Sequence, residues 1–216
     1  MGTLWLHAVA LDEVRGMIGA TDAEAGRLRA IATERFGRGT RNSHGLLGKL
    51  GPVMRRPVDA PVLRPDTPLA QDCDRLLAGQ HVPPQRLAAS WRLMQGWIEA
   101  TAWGTHHSPL DNAALKNLDF DLARAGVAAR HGVSALLEHP LEIGLLPAPG
   151  LAVGYRDGAH VRQLAASWRT ALPELEPPSS TWVTEVADWL DRFGQWTTAA
   201  ATAERPAPDL IAILAA

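Results

Sequence analysis

His106 and His107, with Asp111 four residues further on, are the side chains of this 216-residue chain that come nearest to holding a metal ion. Neutral imidazoles and a carboxylate are the groups that bind zinc or iron. The two histidines are adjacent, however, and no HxxxH or HxH spacing supports them. Histidines beside a helix end more often cap carbonyls or face solvent. The expectation is that no metal and no other cofactor is bound, with this trio as the candidate if either a metal or a dispersed hydrolytic site exists.

Other catalytic patterns are missing. There is no GxSxG or SxxK segment, and the single cysteine, Cys73, has no histidine placed to activate it. Cys73 lies between Asp72 and Asp74, whose charges disfavour a thiolate. Gly37-Arg38-Gly39 has no GK[ST] after it and so is not a nucleotide loop. Asp119 and Asp121 stand two apart, which on a helix turns them to different faces.

The charge pattern says more. Between Arg27 and Arg64 nine basic residues face two acids, Glu34 and Asp59, so this stretch carries +7 and the remainder -9 of a net -2. Asymmetry of this kind marks a site for an anionic partner. Gly37 to Pro68 holds five glycines and five prolines, too many for a long regular element, and is expected to form a basic arm. Arg38, Arg41, Arg55 and Arg56 are its candidate contacts. The arm has no aromatic residue and the chain is not basic overall, which argues against nucleic acid and for a protein partner.

The elements that would position these groups follow from apolar periodicity. Thr3 to Val9 reads as a strand with apolar residues on both faces, hence buried. A short helix from Leu11 and a second over 22–36 come next, with Thr21 and Glu24 spaced as a capping box. Helices are predicted over 69–78 and 84–103, a break at Gly104 to Pro109, two short helices in 111–139, a strand at Leu151 to Tyr155, and a helix over 159–172. A Trp-striped helix over 181–203 and a terminal helical segment over 209–216 complete the pattern. Trp91, Trp97 and Trp103 are each rotated by about 600° from the last, so they point in three directions. Trp182, Trp189 and Trp196 lie on one stripe, expected to be core. The hexapeptide LAASWR occurs at Leu87 and again at Leu164, with flanks that differ.

No apolar run reaches the roughly 20 residues of a membrane span, and Asp12 and Glu13 interrupt any signal-peptide core, so a cytoplasmic protein is expected. The start MGTLWLHAVALDEVRGMIG and the later GYRDGAHVRQLAASWRTAL resemble the YfbM-like family of small uncharacterised bacterial proteins. That resemblance implies an α+β fold without established activity, and a role as an immunity partner of a bacterial toxin. Taken together, a mostly helical α+β single domain is expected, its small sheet built from the N-terminal strand and the Leu151 to Tyr155 segment. The expected function is non-enzymatic partner binding, with a dispersed-site enzyme at His106, His107 and Asp111 and a nucleic-acid-binding regulator as alternatives.

Overall fold

The computed structural model describes residues 2–37 and 66–215. Its organising element is β1 (Thr3–Val9), in which Leu4, Leu6 and Ala8 bury one face while Trp5, His7 and Val9 occupy the other. Backbone groups on both its edges must be paired. β2 (Gly104–Pro109) satisfies one edge and β4 (Asp209–Ala215) the other, and β3 (Leu151–Arg156) pairs with β4. The sheet order is β2-β1-β4-β3, all antiparallel.

Helices cover both faces. α1 (Leu11–Arg15), α2 (Asp22–Phe36), α3 (Ala70–Leu77) and α4 (Leu87–Thr101) pack with Val9, Ile211 and Ile213 around the buried Trp97 and Met94. α5 (Asn112–Arg124), α6 (Gly158–Ala171), α7 (Ser179–Leu190) and the start of α8 (Phe193–Thr202) pack with Leu4, Leu6, Leu210 and Leu214 around Trp168 and Phe193. The result is the expected mostly helical α+β domain, with the sheet as its middle layer. Among the described residues no helix is long and apolar enough to cross a membrane.

Four local expectations need correction. Gly104 to Pro109 is an edge strand, because its alternating polar side chains are tolerated where only one edge is paired. Residues 209–215 form a strand and not a helix: a short continuous apolar run fits a strand buried on both faces equally well. β3 therefore meets β1 only through β4. The 181–203 helix is broken at Asp191 and Arg192, which lets Phe193 turn into the core beside Trp189 and Trp196, at ring separations of 5.6 and 5.3 Å. The capping box at Thr21 is also not formed; Glu24 instead binds Arg27, Oε1 to Nη2 at 2.6 Å.

The first tryptophan row does diverge. Trp91 donates its indole N–H to the Leu146 carbonyl and Trp97 donates to Leu28, while Trp103 lies beneath the Arg205 guanidinium at 4.5 Å. The two LAASWR copies start α4 and end α6, on opposite faces of the sheet, and play the same local part. Trp168, like Trp91, donates to a backbone carbonyl outside the α-helices, that of His131, and Arg92 and Arg169 each bind aspartates, Asp66 for one and Asp188 and Asp191 for the other.

β3 is held against the 134–137 turn of 3-10 helix by an approach only glycine allows. A Cβ on Gly154 would sit 2.5 Å from the Leu136 carbonyl oxygen and 2.6 Å from Leu137 backbone atoms. Backbone on both sides cannot yield as a side-chain tip can, so overpacking of this kind costs about 1–3 kcal/mol or more. Gly154→Ala is expected to lower the unfolding free energy by that amount, read as a fall in the urea midpoint, and an unchanged midpoint would show that the turn moves freely.

Candidate functional site

The edge strand decides the fate of the metal candidates. Successive residues of a strand point to opposite faces, so His106 faces the α7 layer and His107 the α4 layer. His106 lies 6.2 Å from the Trp189 ring, and its buried Nε2 has no hydrogen-bond partner among the described residues. Burial lowers its pKa, against the pull of Glu185. His107 is exposed and stands directly opposite Trp5 on β1. Asp111 is spent as the N-cap of α5, its Oδ1 accepting from the amides of Ala113 and Ala114 at 3.1 and 3.0 Å. The structure thus separates the three side chains. Among the described residues no group of three His, Cys, Asp or Glu side chains is placed to hold a metal ion.

A histidine the sequence reading passed over is the most perturbed group. His7 is fully buried in the middle of β1, its Nδ1 3.1 Å from the Thr105 hydroxyl and its Nε2 without a partner among the described residues. Burial, helped by the Arg35 charge, brings its pKa down to about 4. A polar residue in the alternating TLWLHAV was the visible signal. His131 is likewise buried, edge-on to His160 at 5.2 Å, with its pKa lowered by burial and by that neighbour.

The remaining titratable groups are largely structural. Asp72, almost fully buried, pairs with Arg86 and caps the Leu69 amide at 2.9 Å. Asp119 accepts from the Val133 and Ser134 amides, while Asp121 accepts from the Ser179 hydroxyl at 2.6 Å. These two carboxylates serve different segments, as their spacing implies. Cys73 is buried, and burial with the neighbouring Asp74 pushes its thiol up to about 11, so it is protonated near neutrality.

Arg38, Arg41, Arg55 and Arg56 lie outside the described residues. The described cations of the same basic stretch are paired: Arg27 with Glu24, Arg29 with Asp74, and Arg35 with Glu99. Beside them a cavity of about 420 Å³ opens between α2 and α3, lined by Phe36, Leu69, Cys73 and Leu93, with Gly37 and Pro68 on its wall. The Arg29–Asp74 pair, 3.1 Å apart, borders it. A pocket of this shape can take an apolar side chain and offers charge at its edge.

A family model described as a domain of unknown function matches residues 1–214 of the chain. No curated protein and no solved structure matches it.

Proposed function

We propose that this chain, which belongs to the DUF7691 family of domains of unknown function, is a non-enzymatic, cytoplasmic protein that binds an acidic protein partner. The observation that carries this reading is where the basic stretch is rooted. Gly37 and Pro68, which flank the segment bearing Arg38, Arg41, Lys49, Arg55, Arg56 and Arg64, line the same apolar cavity. An apolar pocket with charge around it matches the anatomy of an interface hot spot, with a dry centre and a polar rim. The partner that fits has an acidic surface and one protruding apolar side chain. A toxin neutralised by an immunity protein is the case we favour, in keeping with the resemblance to the YfbM-like family.

Electrostatic complementarity acts mainly on association rate and partner choice. The tagged chain, purified from its host, is therefore expected to carry one acidic protein in stoichiometric amount. Its binding should weaken with salt and fall at least ten-fold in an Arg55→Glu, Arg56→Glu variant that remains folded. A chain that purifies alone, or a companion indifferent to the charge reversal, would reject the reading. Nucleic acid in place of the protein, with affinity falling steeply with salt, would establish the regulator instead.

A further inference from the structure

Most of the cavities have their polar linings committed to the fold. In the cleft of about 450 Å³ beside the end of α4, Arg205 binds Glu13 and the Thr101 carbonyl while Arg27 binds Glu24 and the Thr101 hydroxyl. Arg205 thus caps the C-terminus of α4, and both guanidiniums are already neutralised by carboxylates. Beside α5, Asp119 and Ser134 bind each other and Glu138 meets Arg156. The cavity beneath the 148–150 turn is different.

This cavity, of about 360 Å³, has an apolar floor made by Trp5 of β1, Trp91 of α4 and Ile213 of β4. Ala88, Ala148 and Gly150 are small enough to leave it open. Gln95, half-buried on the same face of α4, points no hydrogen bond at any described group, and neither does the Trp5 indole N–H. The charged residues on its wall, Arg92 and Asp66, bind each other at 2.8 Å. His107, outside the lining, stands directly across the strands from Trp5 and makes no hydrogen bond to any described residue.

We propose that this cavity binds a small uncharged nitrogen heterocycle of the nucleobase or nucleoside class. The flat side chain of Trp5 offers a stacking surface, and base–aromatic stacking is worth about 1–3 kcal/mol per base. The Gln95 carboxamide presents a donor and an acceptor side by side, which matches the paired donor and acceptor on the edge of a base. The internal neutralisation of Arg92 by Asp66 disfavours a ligand with net charge, so the unphosphorylated form is the one that fits. The volume lies at the lower end of the roughly 300–1,000 Å³ found for small-molecule sites. The site is independent of the partner reading, since it touches the arm only at Asp66 and uses none of its cations.

Calorimetric titration of the full-length protein with guanosine, adenosine, uridine and, as a ring without an aromatic face, glucose tests this. At least one nucleoside is expected to bind with a dissociation constant below about 1 mM, and glucose is not. Gln95→Ala, which removes a side chain without a hydrogen bond to any described residue, is expected to weaken binding at least five-fold with the thermal midpoint unchanged. Trp5→Phe, which keeps a smaller ring, should weaken it less than Trp5→Leu. No nucleoside binding, glucose binding of similar strength, or nucleoside affinity unchanged in Gln95→Ala would overturn the assignment.

Discussion

Taking the protein from pH 7 to pH 4 is expected to cost about 3 kcal/mol of unfolding free energy through His7 alone. In the folded chain this imidazole titrates near 4, against 6.5 when exposed. Above 6.5 both states are neutral at this position and the contribution is nil. Between 6.5 and 4 the unfolded chain binds a proton that the folded chain refuses, so stability falls as the pH falls. Below 4 both states are protonated and the loss levels off. His106 and His131, also lowered by burial, add losses of the same sign. Asp209, whose pKa burial raises, opposes them: its folded form takes up a proton first and gains stability with acid. Urea melts at intervals from pH 7 to 4 measure the slope, and a His7→Leu variant should flatten much of it. A slope that His7→Leu leaves intact would place the acid sensitivity elsewhere.

Truncating Trp97 should have an effect at least as large at neutral pH. The side chain is fully buried between α2, α4 and the sheet, and its indole N–H, bound to the Leu28 carbonyl at 2.9 Å, joins α4 to α2. Replacing a buried aromatic by alanine costs about 3–5 kcal/mol through lost transfer energy and the cavity left behind. Against a total stability of about 5–15 kcal/mol, Trp97→Ala is expected to leave the chain partly unfolded at 37 °C. Trp182 makes the informative contrast, being only partly buried although its N–H binds the Ser108 hydroxyl at 2.9 Å. Trp182→Ala should cost less than half as much, and equal losses would mean that burial is not what these residues contribute.

The parts of the fold legible in the sequence are those in which local pattern and tertiary role agree. β1 announces a strand by having apolar residues on both faces, and α2 runs over 22–36 as its periodicity predicts. β2 and β4 were hidden for opposite reasons. The polar GTHHSP is a strand only because β1 lies beside it, and the apolar DLIAILA could equally be a buried helix until a sheet accepts it. The same non-locality conceals the small-molecule cavity. Trp91, Arg92 and Gln95 share one helix face and could be read together, but Trp5, Ile213 and the 148–150 turn arrive from distant segments. His107 acquires its neighbour Trp5 from the other end of a strand pairing 102 residues apart in sequence.

β4 occupies an inner position of the sheet, yet it is the last of the described strands, and Thr3 pairs with Ala215. While the polypeptide emerges from the ribosome, β1 can find β2 but neither of them can reach β3, because the strand that joins them has not been made. Pairings this far apart carry a large loop-closure entropy and slow folding. The sheet is therefore completed only once residues 209–215 have been made, and until then Leu4, Leu6 and Val9 belong to a strand with one edge unpaired.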